Sequence, residues 1–211
     1  MHGRFITFEG AEGVGKTTQI ARAAAHLRAQ GIEPLVTREP GGTPLAEKLR
    51  ALVLEPGQGP LDATTELLLM FAARASHVAD VLRPALAAGR CVLCDRYTDA
   101  TEAYQGAGRG MNLDWIRALA GIAHPGLEPD LTIVFDAPAT VANARLAVRG
   151  ARQDRIEAED AAFFQRVRAA YLAIAAREPG RVRVVDATRP EAEVAAGVAA
   201  LLDATLATGP R

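Results

Sequence analysis

The sequence predicts an α/β chain with an open, doubly wound parallel sheet of five strands and helices on both faces, on three observations. The β-prone run Phe5-Ile6-Thr7-Phe8 leads directly into Gly10-Ala11-Glu12-Gly13-Val14-Gly15-Lys16-Thr17, which reads G-x-x-x-x-G-K-[ST], and then into an Ala-rich helical stretch. Cys91–Cys94 and Leu131–Phe135 are unbroken apolar runs, each followed by an aspartate, as expected of strands covered on both faces. Strand-like and helix-like segments alternate along the chain, which favours right-handed crossovers and a parallel sheet.

Each element has its own signal. The stretch Lys16 to Gln30 reads as a helix closed by Gly31, and Glu33 to Arg38 as a short second strand. Glu39-Pro40-Gly41-Gly42-Thr43-Pro44 is a stiff loop whose last proline can open a helix. After the turn-rich stretch from Leu54 to Pro60, Asp62 can N-cap a long apolar helix reaching about Gly89, interrupted near its end by Pro84. Arg181–Val185 supplies the fifth strand, followed by Asp186 and a last helix from about Pro190 to Leu206. With no repeat, low-complexity tract or linker, a single domain over residues 1–211 is expected.

Composition narrows the function classes. Hydrophobic residues make up 49% and charged residues 23% of 211, an ordinary globular balance, and the net charge of −1 argues against broad capture of nucleic acid or anionic membrane. The first residues carry no apolar leader and no apolar run approaches a membrane span, so the cytosol is the expected compartment. Cys91 and Cys94, at i and i+3 in a strand, point to opposite faces and suit neither one metal nor one disulfide. His2, His26, His77 and His124 show no metal-binding spacing and read as surface or helix-end positions.

The octapeptide is a phosphate cradle. Its glycines permit close backbone approach, its N–H groups face phosphate oxygens, and the following helix adds a positive N-terminal end. Lys16 would reach the β- and γ-phosphates, and Thr17 would place a hydroxyl on Mg²⁺. Ligands in such sheets gather at the carboxyl ends of the strands. There Asp95 is expected to orient the metal, and Arg96 to grip a phosphate in bidentate fashion.

From Asp95-Arg96-Tyr97 to Ala103-Tyr104-Gln105-Gly106-Ala107-Gly108-Arg109 the sequence resembles the DR[YF]…AYQGxGR signature of bacterial thymidylate kinases. Phe8 to Thr18, Thr37 to Thr43 and Asp154-Arg155-Ile156-Glu157 agree with the same family in the same order. The resemblance implies a P-loop kinase fold, transfer of the γ-phosphate of ATP to dTMP with Mg²⁺, a contribution to dTTP synthesis, and a homodimer. For the dimer face the candidate is the helix from about Ala63, because Leu67 to Phe71 exceed one core-facing stripe, although burial of that helix within a monomer accounts for the same pattern.

By the same resemblance, Gly10 to Thr18 hold ATP, with Arg149 and the backbone near Asp186 and Ala187 serving adenine. Phe71 and Arg74, three apart on one helix, can offer a stacking wall and a donor to thymine O4, with Met70 as the alternative wall. Tyr104 is similar to an aromatic that lies against the sugar C2′; Thr101 and Gln105 are candidates for the base edge. Ala100 stands where some relatives carry serine. Glu12 matches a loop carboxylate contacting the sugar 3′-hydroxyl, and Arg96, backed by Arg38, holds the acceptor phosphate. One branch of the family has an arginine after that acid, whereas Gly13 here points to the branch with catalytic arginines in a mobile lid. Residues of about 149–156 fit such a lid, with Arg152 and Arg155 as its catalytic candidates. A P-loop kinase for another acceptor and a nucleotide-dependent switch are the competing classes.

Overall fold

The computed structural model describes residues 3–55, 61–150 and 154–208, and for Arg149 the backbone alone. Five strands, β1 (Arg4–Glu9), β2 (Leu35–Arg38), β3 (Cys91–Asp95), β4 (Leu131–Asp136) and β5 (Val182–Asp186), form one sheet in the order β2-β3-β1-β4-β5. Every pairing is parallel, with Phe8 opposite Asp95 and Asp136 opposite Asp186. The three central strands are buried almost throughout, as their unalternating sequences require.

Helices cover both faces. On one, α1 (Lys16–Ala29) and α9 (Glu191–Ala207) pack Leu27, Val198 and Leu202 against Ile6, Phe8, Leu93, Ile133 and Phe135. On the other, α8 (Ala161–Arg177) sets Phe163, Val167, Tyr171 and Ile174 against Val134 and Val182. Further along that face, Val78, Leu82 and Ala85 pack on Phe5, Val92 and Cys94. Cys91 and Cys94 therefore lie in cores on opposite sides of the sheet, and both are free thiols.

The helix starts follow their capping residues. The Thr43 hydroxyl accepts from Ala46 N–H at the head of α2 (Pro44–Leu54), and the Asp62 carboxylate accepts from Thr64 and Thr65 N–H at the head of α3 (Ala63–His77). The helical path then widens into a π segment, Val78–Leu82, before α4 (Arg83–Ala87). That widening sits immediately before Pro84, whose ring and missing N–H disrupt the i→i−4 ladder. The remaining helices are α5 (Thr98–Thr101) with a π segment Glu102–Gly108, α6 (Leu113–Ala123) and α7 (Ala139–Arg149). No helix among the described residues is long and apolar enough to cross a membrane.

His77 and His124 do stand at helix ends, as the last residue of α3 and the residue after α6, but neither lies at the surface; His2 falls outside the described residues. His77 is fully buried, with Nδ1 2.9 Å from Glu39 Oε1 and Nε2 2.7 Å from Thr37 Oγ1. His124 is also buried, bonded through Nε2 to Thr98 Oγ1 and packed on the Tyr97 ring. Polar partners brought in from distant elements make both positions tolerable in the interior.

A polar seam crosses the α8 side of the sheet. Thr7 and Thr132 hydroxyls lie 2.8 Å apart, and Arg181 donates to both Asp99 oxygens at 2.7 and 2.8 Å as well as to Thr132. Removing the carboxylate would leave both terminal nitrogens of a largely buried guanidinium without a carboxylate, with Glu178 on Nε as its remaining acid. Asp99→Ala should therefore destabilise the protein by about 3–5 kcal/mol in chemical denaturation, whereas Arg189→Ala, at an exposed pair, should change stability by under about 1 kcal/mol.

Candidate functional site

A cleft of about 610 Å³ opens at the carboxyl ends of β1 and β3. One wall is the phosphate loop and the start of α1, residues Glu12 to Thr18; others come from Arg38, Arg50, Met70, Asp95, Arg96, Ala100, Tyr104, Gln105 and Arg145. The loop takes its shape from close packing. Gly13 has φ +75°, and a Cβ there would lie 2.4 Å from the Ala142 carbonyl oxygen and 2.9 Å from Leu146. No side chain fits at this position with α7 so placed, an arginine least of all.

Lys16 is buried and turns its ammonium onto the loop's own carbonyls, 2.9 Å from Gly10 O and 3.0 Å from Ala11 O. Burial and the charge of Arg96 lower its pKa, against the raising effect of Glu12, Asp95 and Glu9. Thr17 and Thr18 follow on the first turn of α1 and also face the cleft. Across from them, Asp95 ends β3 with Oδ1 buried and without a hydrogen-bond partner among the described residues. A helix-start hydroxyl, one carboxylate with an uncommitted oxygen and space for phosphates and water suit Mg²⁺, which binds few protein groups and keeps much of its hydration.

Arg96 is the centre of the wall opposite Lys16 and Thr17. Its φ of +71° is unusual for a non-glycine residue. The bend is held from both sides: Arg96 N–H donates to Phe8 O at 3.0 Å, and Tyr97 N–H donates to Glu9 Oε1 at 2.7 Å. The guanidinium then reaches back over the Tyr104 ring, 4.7 Å from its centroid. It pairs with Glu12 and donates to Gly10 O and to the Tyr171 hydroxyl at 3.0 and 3.2 Å. Burial pushes the Glu12 carboxyl up, but the charges of Arg96 and Lys16 outweigh it and hold Glu12 below the usual carboxylate range.

Behind the cleft, Arg74 is almost completely buried. Nε donates to Glu39 Oε2 at 2.6 Å and Nη2 to Tyr97 O and Thr101 Oγ1, while Nη1 has no partner among the described residues. Gln105 is equally buried; its Nε2 donates to Glu66 Oε1 at 2.6 Å and its Oε1 is unpartnered. An uncommitted donor from α3 and an uncommitted acceptor from the π segment Glu102–Gly108 are thus left. Tyr104 lies above, its hydroxyl 3.3 Å from Glu12 Oε1.

Not every expected position reaches the cleft. Phe71 is corrected: it is buried with Leu67 and Ile116 between α3 and α6, while Met70, one residue earlier and 100° around the helix, lines the cleft. Phe71 still touches the site indirectly, with the Arg74 guanidinium 4.8 Å from its ring centroid. Arg38 lines the cleft with its guanidinium tied to exposed Glu47 at 2.8 Å. Arg155 donates to Val53 O at 2.7 Å and to Glu66 Oε2 at 2.5 Å, an anchorage on α2 and α3 and not on the phosphate loop. Arg152 and the Arg149 side chain lie outside the described residues. Asp186 caps its own turn through Thr188, and Ala187 N–H donates to Asp136 O at 2.8 Å.

Two cleft arginines escaped sequence reasoning. Arg145 on α7 donates to Val14 O at 3.2 Å and Ala187 O at 2.9 Å, joining the phosphate loop to the loop after β5. Arg50 on α2 donates to Pro40 O and faces the cleft beside Arg38. Both stand on amphipathic helices at positions that solvated surface arginines also occupy, so only the cleft distinguishes them. Glu9 ends β1 beneath the cleft. It is fully buried under Arg96 and Tyr97, and burial with the charge of Asp99 pushes its pKa up to about 8.

The chain matches the family described as Thymidylate kinase over residues 8–198. It is 55% identical over 202 residues to a thymidylate kinase of Pseudomonas savastanoi pv. phaseolicola, with 96% of each chain covered. It is 54% identical over 207 residues to one of Chromohalobacter salexigens, with 98% of each covered. The crystal structure of thymidylate kinase from Ehrlichia chaffeensis aligns with a TM-score of 0.76 and 33% identity, covering 96% of this chain and 99% of that one. A P-loop kinase sheet, a phosphate loop facing an arginine-lined cleft, and likeness along nearly the whole length lead to one assignment: the chain belongs to the thymidylate kinase family.

Proposed function

We infer that the chain transfers the γ-phosphoryl group of ATP to dTMP, giving ADP and dTDP, within a single domain. The observation carrying the reaction geometry is the meeting of two anion sites in one cleft, Lys16 with the loop N–H groups on one side and Arg96 on the other. Phosphoryl transfer depends chiefly on holding donor and acceptor in line and neutralising charge on the moving group. Gly10 to Thr18 take the ATP phosphates, and Lys16 leaves its carbonyl contacts for the β- and γ-oxygens. Arg96 receives the acceptor phosphate, with Arg38 and Arg50 at the rim.

Thr17 and Asp95 would hold Mg²⁺, the buried unpartnered oxygen of Asp95 supporting that assignment. Bound there, the ion would draw charge from the phosphate oxygens. Glu12, already ionised between Arg96 and Tyr104, is placed to accept from a sugar hydroxyl. Tyr104 forms the wall beside C2′. The base lies against Met70, with O4 toward the Arg74 donor and N3–H toward the Gln105 acceptor, and Thr101 holds Arg74 in place. Adenine sits near Arg145, Ala187 and Asp186, with Arg149 at the edge. Gly13 leaves the loop without an arginine, so the charge on the transferring group is met by lid residues of about 149–156, Arg152 first and Arg155 after release from Glu66.

ADP release should require both Mg²⁺ and dTMP and fall to background in Lys16→Ala. In a coupled assay across dTMP, dUMP, UMP, CMP, AMP and GMP, preference for any acceptor but dTMP would overturn the assignment.

The proton of Glu9 sets a pH dependence of stability. Its folded pKa of about 8 lies above the ordinary 4.5, so in between folding takes up a proton and stability falls as pH rises. The contribution is complete below the ordinary value and lost through about pH 8. Glu9→Gln should flatten the decline in Tm from about pH 5 to pH 9 by an amount worth roughly a few kcal/mol; equal slopes in both proteins would refute this.

A homodimer through α2, α3 and α6 is part of the proposal. These helices pack side by side and expose Leu45, Leu52, Leu68, Trp115 and Ile122, more apolar surface than a solvated face needs. Light scattering should give a dimer mass for the natural chain and a smaller one for Leu68→Asp. A monomer at high concentration would remove the dimer.

A further inference from the structure

Glu66 lies on α3 with no exposed surface, and three donors from two other parts of the chain converge on it. Gln105 Nε2 donates to Oε1 at 2.6 Å; Arg109 Nη2 and Arg155 Nη2 donate to Oε2 at 3.2 and 2.5 Å. Burial pushes this carboxyl up, but the hydrogen bonds from Gln105 and Arg155 and the charge of Arg109 hold it below its ordinary range. It is therefore an anion, and an anionic carboxylate only accepts.

That fact dictates the orientation of Gln105. An amide beside an acceptor-only partner must present its NH₂ group, which turns its oxygen away from Glu66. Gln105 lines the cleft, and this oxygen is the buried atom left without a partner among the described residues. A glutamine lacking such a neighbour could show either end to a base at nearly equal cost. Its NH₂ end would suit cytosine, whose N3 is a lone pair; its oxygen suits thymine, whose N3 carries a proton.

We propose that Glu66 is the positioning residue for base selection: by locking the Gln105 amide with its oxygen toward the base, it makes the cleft favour a pyrimidine protonated at N3 and reject one that is not. The proposal rests on Gln105 being a base contact, as inferred above. Glu66 itself touches no substrate. Its partners place it between the base pocket, through Gln105, and the end of the lid segment, through Arg155.

The test is the ratio of kcat/KM for dTMP over dCMP in the intact enzyme and in Gln105→Leu, Glu66→Gln, Glu66→Asp and the Glu66→Gln/Gln105→Leu double variant. Gln105→Leu should lower the ratio by about tenfold or more. Glu66→Gln, whose own amide can meet either end of Gln105, should lower it comparably, and the double variant no further than Gln105→Leu. Glu66→Asp keeps a charge for Arg109 and Arg155 while withdrawing from Gln105, so it reports the same loss if Glu66→Gln does not fold. A ratio that falls in Gln105→Leu but holds in the folded Glu66 variants overturns the role of Glu66 and leaves the base contact standing. A ratio unchanged in Gln105→Leu overturns both.

Discussion

Arginines gathered around one cleft repel one another, and this protein meets that constraint by giving most of them a carboxylate and tying Arg50 and Arg145 to backbone carbonyls. Arg96 is held by Glu12, Arg74 by Glu39, and Arg109 and Arg155 by Glu66. These acids stay ionised although burial opposes it, because their partners' charges and hydrogen bonds are stronger. A donor desolvated and oriented in advance, such as the unpartnered Arg74 Nη1, needs no reorganisation when a ligand enters, which is the condition for effective electrostatic stabilisation. Such pairs add little net stability over apolar packing, so their value lies in geometry.

The sheet supplies the frame for that geometry. With β1 between β3 and β4, the phosphate loop and the Asp95-Arg96 turn leave adjacent strand ends, and one cleft receives both. The left-handed bend at Arg96 swings its guanidinium back over the loop, away from the path the chain takes into α5. Glu9, Tyr171 and the Tyr97 amide brace the bend from beneath, since the Tyr171 hydroxyl donates to Glu9 at 2.8 Å and accepts from Arg96. Rigid strands and a braced turn thus form the wall of the cleft that faces the phosphate loop.

How much was legible in the chain varied with the range of the interaction involved. Strand runs, caps and the phosphate loop are local signals, and Thr43, Asp62 and the apolar runs at Cys91 and Leu131 appear where their chemistry places them. Helical rotation was not legible to one residue. Leu67 to Phe71 are all apolar, so nothing in the pattern said that Phe71 meets Ile116 while Met70 meets the cleft. His77 and His124 read as surface or helix-end positions, and their burial at helix ends was not legible because the groups satisfying them, Glu39, Thr37 and Thr98, come from other elements. Arg50 and Arg145 carried no motif, and only the shape of the cleft picks them out.

The sequence by itself determined the alternation of strands and helices, the phosphate cradle with Lys16 and Thr17, and the set of charged residues available to an acceptor. Those follow from backbone preference, spacing and residue type, which act over a few neighbours. Tertiary structure alone decided which carboxylate holds which arginine, which end of the Gln105 amide meets Glu66, and that Gly13 has no room for a side chain beneath Ala142. These depend on pairs separated by tens of residues in the chain and on distances of a few ångströms, and only the packed sheet and its helices bring such groups together.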